Sequence, residues 1–157
     1  MLQSLATCEP VFSDLALGSA LPAPKRDTVH NWQERRSARL IERLRELVLS
    51  PTDVAERFHV AFLDSDNHIL SLAGFGDGCA DALYLNLREL FRQALCVGAR
   101  NVLIAHNHPS GNCRPSEGDI KATMRIAAVA HALEIEILDH LIFSHRAIYS
   151  MRKGGEL

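Results

Sequence analysis

The sequence contains no long hydrophobic run and no excess of charge of either sign. No stretch of about 18 apolar residues occurs, so a membrane-spanning helix is not expected. The formal net charge of the 157 residues is only −2, which gives no overall indication of nucleic-acid binding. The N-terminus also has no basic segment followed by an apolar one, as a secretory signal would require. These absences favour a cytoplasmic protein that does not associate with membranes.

Closely spaced cysteines are also absent. The four cysteines lie far apart in sequence and form no CxxC pair, which argues against a disulfide scaffold and against a four-cysteine zinc site. Ordinary reduced thiols are the expectation for such a protein. The four residues are Cys8, Cys79, Cys96 and Cys113.

The length fits one domain with a hydrophobic core of its own, preceded by two less compact segments. Residues 1–30 combine prolines and polar residues without a sustained period, which predicts a flexible N-terminal arm. Residues 31–49 show apolar residues at helical spacing among many charges, which predicts an amphipathic helix. Its arginines are typical of a solvated face, and a nucleic-acid patch is the alternative. The folded domain is then expected over residues 50–157.

Strand and helix patterns alternate along that domain. Such alternation predicts an α/β fold of three layers, with helices on both faces of a sheet. The turn at 64–67 predicts a hairpin, and Gly74, Gly76 and Gly78 predict a flexible loop after it. The predicted strands are 58–63, 69–72, 101–105, 135–143 and 147–150, and the predicted helices are 83–97, ended by Gly98, and 117–133.

Two histidines follow the most apolar predicted strand. His106 and His108 stand two residues apart, and side chains in a strand alternate between faces, so both imidazoles are expected on one side. Asn107 would point the other way and form hydrogen bonds within the scaffold. Pro109 then ends the strand. A histidine pair of this kind is weak by itself, because such pairs often satisfy only local hydrogen bonds.

Asp119 adds a carboxylate near the start of the following helix. Ser116 and Asp119 fit a capping box, in which the serine is the N-cap, so structural capping alone explains both residues. A cap would also hold Asp119 rigidly, as a metal site requires. Two nitrogen ligands and one carboxylate, with a fourth position for water, are the pattern of a catalytic zinc site. The two interpretations are compatible.

The joint pattern resembles the JAMM motif of the JAB/MPN metalloproteases, H-x-H-P followed after six residues by S-x-x-D. The segments AHNHPSG at 105–111 and PS-x-x-D at 115–119 are similar to the RadC-like branch of that family, as are Arg88-Glu89 and 138–140. The resemblance covers roughly residues 50–157. It implies a cytidine-deaminase-like, three-layer domain whose mixed β-sheet is flanked by helices. It also implies a Zn²⁺ ion held by His106, His108 and Asp119.

The resemblance further implies a reaction. Glu56, just before the strand FHVAFL, corresponds to the general base, and Ser116 to the donor that stabilises the oxyanion. The implied activity is that of a zinc metallopeptidase or isopeptidase, acting on a protein or peptide. A surface glutamate with no catalytic task is the alternative for Glu56. Asp139 and His140 are expected to support the sheet or the ligands, and Cys113 to be a simple loop thiol.

The same residues also bear on two other functions and on self-association. The alternative function is that of a DNA-repair accessory protein whose metal is structural or inactive, and residues 1–50 are too short for the helix-hairpin-helix region of longer relatives. An HNH nuclease is not expected, because His106-Asn107-His108 is a contiguous triplet and the nuclease residues are dispersed. A homo-oligomer formed through a sheet edge or the Trp32–Leu49 helix is compatible with the sequence.

Overall fold

The computed structural model describes residues 29–50, 55–77 and 86–157, and the arm predicted at 1–30 lies almost wholly outside them. Nine elements follow one another within these ranges. They are α1 Val29–Val48, β1 Arg57–Leu63, β2 Ile69–Asp77, α2 Leu87–Cys96, β3 Asn101–Asn107, α3 Glu117–Ala132, β4 Glu136–Phe143, β5 Ile148–Ser150 and α4 Met151–Gly154.

The five strands form one mixed sheet in the order β2-β1-β3-β4-β5. Only β3 and β4 run parallel, because α3 carries the chain back across the sheet between them. The other neighbours pair antiparallel. The central strand β3 therefore has hydrogen-bonded partners on both sides, and its apolar sequence matches burial on both faces.

Helices cover both faces of the sheet, as the sequence predicts. On one face α1 packs through Leu40, Leu44 and Val48 against alternate residues of the central strands. On the other face α2 and α3 cover a second cluster that includes Phe62 and Ile104. The domain is thus an α/β fold in three layers with a mixed sheet at its centre. No helix in the described ranges is long and apolar enough to cross a membrane.

The glycine-rich segment after the hairpin differs from its prediction as a loop. Residues 74–77 continue β2, and Gly74 pairs with His59 of β1. A Cβ atom at Gly74 would lie 3.1 Å from His59 Nε2, so a glycine suits this close approach of ring and strand. Gly78 and the first residues of the helix predicted from residue 83 lie outside the described residues. The helix ends as predicted, with Gly98 at a φ of 69°.

Candidate metal centre

Both histidines of the predicted pair come from the end of β3 and lie on the same face of the sheet. His106 is fully buried in the strand, and its ring stacks near Phe58 of β1. His108 follows the last residue of the strand, yet its N–H still donates to the Phe143 carbonyl of β4 at 2.8 Å. The strand geometry therefore extends to His108, and the alternation predicted from sequence is confirmed.

The loop after β3 fixes the ring of His108. The segment from His108 to Gly111 closes a turn with a 3.1 Å backbone hydrogen bond, and Gly111 has a φ of 83° that favours glycine. This turn brings the Asn112 carbonyl to 2.7 Å from His108 Nδ1. A carbonyl only accepts, so Nδ1 must carry the proton. In the neutral ring, Nε2 of His108 then has a bare electron pair.

Asp119 lies in the first turn of α3, and the predicted capping box is confirmed. The Ser116 hydroxyl accepts from the Asp119 N–H at 3.1 Å, and the Asp119 carboxylate accepts from the Ser116 N–H at 2.7 Å. The Ser116 hydroxyl proton is also directed to Asp119 Oδ2, at 2.7 Å. The cap thus holds Oδ2 and leaves Oδ1 to face His106.

Three donor groups consequently meet at one buried point, and we name His106, His108 and Asp119 the buried triad. Their exposed fractions are 0%, 9% and 2%. The two Nε2 atoms lie 3.0 Å apart, and each lies 3.3 Å from an oxygen of Asp119. Donors at ~2.1 Å from a tetrahedral ion would lie ~3.4 Å from one another, so the triad can hold a metal ion.

The electrostatics of the triad favour a positive charge at that point. Burial lowers the pKa of His106 to about 4, which keeps its ring neutral. Burial also opposes a charge on His108, but its contacts with Asp119 and the Asn112 carbonyl outweigh burial and raise its pKa. The pKa of Asp119 is held well below its usual range by His108, His106 and Ser116, despite burial. Two imidazoles and a carboxylate therefore converge where a cation would be stabilised.

Glu56 lies beside His108, directly before β1. Its Oε1 is 3.9 Å from His108 Nε2, and its side chain is 21% exposed. Burial raises the pKa of this carboxyl group, although the nearby His108 ring acts in the opposite direction. The fold therefore brings Glu56, the residue that the resemblance assigns as general base, next to the triad.

Asn107 holds the backbone on both sides of Glu56. Its carboxamide oxygen accepts from the Arg57 N–H at 2.6 Å, and its NH₂ group donates to the Ala55 carbonyl at 3.2 Å. Asn107 is fully buried, so neither contact is exchanged readily with water. The scaffold role predicted for Asn107 is confirmed. No residue pattern indicated that its partners would flank Glu56.

Two residues behind the triad complete the centre. His140 of β4 lies 2.7 Å from His106 Nδ1, and Thr123 of α3 lies 2.7 Å from His140 Nδ1. The supporting role predicted for His140 is confirmed, whereas Thr123 was not singled out from sequence. Asp139 also supports the fold, because it accepts from the Ser150 hydroxyl and the Arg152 N–H near α4. Cys113 packs in an apolar cluster with Ile142 and Met151.

A second group with ligand-type side chains occurs in the β1–β2 turn. We name Asp64, Asp66 and His68 the turn cluster. Asp64 Oδ1 accepts from the N–H groups of Asp66 and His68, both at 2.8 Å, and Oδ2 meets His68 Nδ1 at 3.0 Å. Asn67 has a φ of 61°, as a tight turn requires. These contacts confirm the turn predicted at 64–67.

Comparison with known proteins identifies the family of the chain. The family model described as the RadC-like JAB domain matches residues 34–156. The chain belongs to the RadC-like JAB family. A UPF0758 protein of Finegoldia magna is 38% identical over 99 residues, which are 63% of this chain and 44% of the relative. A UPF0758 protein of Cellvibrio japonicus is 31% identical over 147 residues, 94% of this chain and 59% of the relative. The chain spans about half the length of the relatives it matches.

Proposed function

We propose that this RadC-like JAB domain is a zinc-dependent metallopeptidase or isopeptidase. The observation that carries the proposal is the convergence of the buried triad with the Glu56 carboxylate beside it. Two imidazole nitrogens and one carboxylate oxygen are a ligand set of catalytic zinc sites, in which a fourth position stays open to water. Zinc bound to such a set lowers the pKa of water in its coordination shell to about 7.

Glu56 is the group of this chain that would move the proton. Its carboxylate lies 3.9 Å from His108 Nε2, and partial burial raises its pKa, so it holds a proton more readily than a free glutamate. In amide hydrolysis the oxygen of water forms a bond to the carbonyl carbon and the carbon–nitrogen bond breaks. Glu56 takes the proton from that water and delivers it to the departing amine.

Ser116 would stabilise the oxyanion that develops on the carbonyl oxygen. Its hydroxyl donates to Asp119 Oδ2, so this role requires the hydroxyl to turn away from the carboxylate. Loss of one oxyanion donor typically costs about 3 kcal/mol of activation free energy. The cap uses the hydroxyl oxygen of Ser116 as an acceptor, and the oxyanion contact would use the hydroxyl proton, so the two roles are compatible.

The test measures bound zinc and amide hydrolysis in the same preparations. The variants are Asp119→Ala, Glu56→Gln and, as a matched control, Glu89→Gln on the exposed face of α2. The substrates are a fluorogenic peptide library and peptides joined through a lysine side-chain amide. We expect about one zinc per chain in the wild type and in both glutamine variants. Asp119→Ala should lose both zinc and hydrolysis. Of the two glutamine variants, hydrolysis should fall on the order of 10²–10⁴-fold in Glu56→Gln and stay at the wild-type rate in Glu89→Gln.

Two results would overturn the proposal. A wild type that binds no zinc after reconstitution would remove the metal. A wild type that binds zinc and cleaves neither kind of amide would leave a binding domain, as in an accessory protein whose metal is structural. Unchanged hydrolysis in a zinc-loaded Glu56→Gln variant would reject Glu56 as the base.

A further inference from the structure

A chain of hydrogen bonds runs behind the buried triad from one proposed ligand to another. It begins at the backbone carbonyl of Asp119, which lies 2.6 Å from Thr123 Oγ1. Thr123 Oγ1 is 2.7 Å from His140 Nδ1, and His140 Nε2 is 2.7 Å from His106 Nδ1. Thr123, His140 and His106 are all fully buried. Water therefore does not compete for these contacts.

The direction of every proton in this chain follows from its first contact. The Asp119 carbonyl has no proton, and two oxygens 2.6 Å apart need one between them, so the Thr123 hydroxyl donates there. The contact of the same hydroxyl with Met151 Sδ, at 3.6 Å, is the weaker alternative. With its only proton used, Thr123 Oγ1 must accept from His140. The proton of His140 thus lies on Nδ1.

The position of the proton on His140 then determines the position of the proton on His106. The ring of His140 contacts the Thr123 hydroxyl through Nδ1 and the His106 imidazole through Nε2. The ring is fully buried, which disfavours a charge on it. A neutral His140 with its proton on Nδ1 presents a bare Nε2, which accepts from His106 Nδ1. His106 is left with a bare Nε2, and this is the atom that faces His108 and Asp119.

We propose that Thr123 and His140 are positioning residues that hold His106 in the tautomer able to bind a metal ion. This inference depends on one part of the proposed function, namely that a metal ion binds the triad. Because Thr123 and Asp119 share the first turns of α3, the same chain also ties the orientation of His106 to the helix that presents the carboxylate. The ring of His108 is fixed by another acceptor, the Asn112 carbonyl, so each imidazole has its own support.

Substitution at Thr123 tests the proposal without touching a proposed ligand. Thr123→Val keeps the branched shape and removes the hydroxyl, so His140 loses its acceptor and can place its proton on Nε2. His106 would then carry its proton toward the triad. Thr123→Ser keeps the hydroxyl and is the matched control. We expect zinc affinity, measured by competition with a chelator, to fall about 10–100-fold in Thr123→Val and to recover in Thr123→Ser.

Nitrogen NMR of histidine-labelled, metal-free protein reads the tautomer directly, at a pH high enough for neutral rings. The wild type and Thr123→Ser should show His106 with a protonated Nδ1 and a bare Nε2, and Thr123→Val should lose that pattern. A protonated His106 Nε2 in the wild type would refute the proposal, as would unchanged zinc affinity in a folded Thr123→Val variant. Absence of zinc binding in the wild type would instead reject the proposed function and leave the NMR result standing.

Discussion

The buried triad and the turn cluster contain the same kinds of side chain and lie in the same domain, yet their surroundings differ. Each has three histidine and aspartate side chains whose ligand-type atoms lie within 4.8 Å of one another. In the turn cluster, the Asp64 carboxylate accepts from two backbone N–H groups and contacts His68. Its hydrogen bonds therefore stabilise the β1–β2 turn. In the triad, the Nδ1 atoms of both histidines and Oδ2 of Asp119 have hydrogen-bond partners outside the triad. The two Nε2 atoms and Asp119 Oδ1 face one another.

Ligand-type residues alone therefore do not tell the two clusters apart, since both contain them. What distinguishes the triad is a set of partners behind each side chain that fixes its orientation and, for the histidines, its tautomer. Burial adds to the difference, because the charges of the turn cluster are screened by water and those of the triad are not.

Removing a carboxylate from each cluster should give the largest contrast. Asp119→Ala should abolish stoichiometric zinc binding, because it removes one of three ligands and its cap contacts. Asp64→Ala should leave zinc binding unchanged, because that carboxylate serves the turn. Equilibrium dialysis followed by metal analysis measures both, and circular dichroism confirms that each variant is folded. Equal losses in the two variants would contradict the distinction between the clusters.

Metal addition should stabilise the protein through the triad alone. Zinc at about 100 times its Kd should raise the free energy of unfolding by about 2.7 kcal/mol, because the ligand binds only the folded state. Thermal denaturation with and without zinc should show this increase in the wild type and in Asp64→Ala. The increase should disappear in Asp119→Ala. Stabilisation that persists in Asp119→Ala would place the bound zinc elsewhere.

Ser116→Ala should have a smaller effect on stability. Loss of the N-cap of α3 should cost about 1 kcal/mol of unfolding free energy in urea denaturation, whereas Ser116→Thr should retain most of it. Zinc should still bind to Ser116→Ala, since the serine is not among the three ligands. If Ser116→Ala lost zinc as completely as Asp119→Ala, the cap and the site would be inseparable.

His68→Ala should have the smallest effect. The ring is half exposed, and water screens its pairing with Asp64, so this contact adds little to stability. Urea denaturation should therefore show nearly wild-type stability, and zinc stoichiometry should not change. A loss above about 1 kcal/mol would mean that the turn cluster contributes more to the fold than its contacts indicate.

The sequence revealed those parts of the fold that depend on local pattern. The periodicity of residues 31–49, the apolar run at 101–105 and the Ser116 cap each predicted an element that the structure contains. The order of the strands could not be derived, because it depends on which apolar faces meet. The extension of β2 through Gly74 was missed because it depends on pairing with β1, where the glycine makes room for the His59 ring.

The site was predicted unevenly for a similar reason. His106, His108 and Asp119 lie close together in sequence, and their spacing pointed to chemistry before any fold was known. Thr123 has no feature of its own in the sequence, since its importance comes from a helical turn and a strand that meet in space. The Asn112 carbonyl is a backbone group, so no residue type could have indicated it.

Glu56 lies far in sequence from the three residues of the triad, and this separation affects how the centre is assembled. Residues 106–119 contain the entire triad, so bringing its members together closes only a short loop of chain. Glu56 arrives only when β1 pairs with β3, a step that the Arg57–Asn107 contact completes across 50 residues of sequence. Loop-closure entropy grows with separation, so placing Glu56 beside the triad costs more chain entropy than closing the segment that contains the triad. The proposed base is thus the member of the centre whose position depends most on pairing between distant parts of the chain.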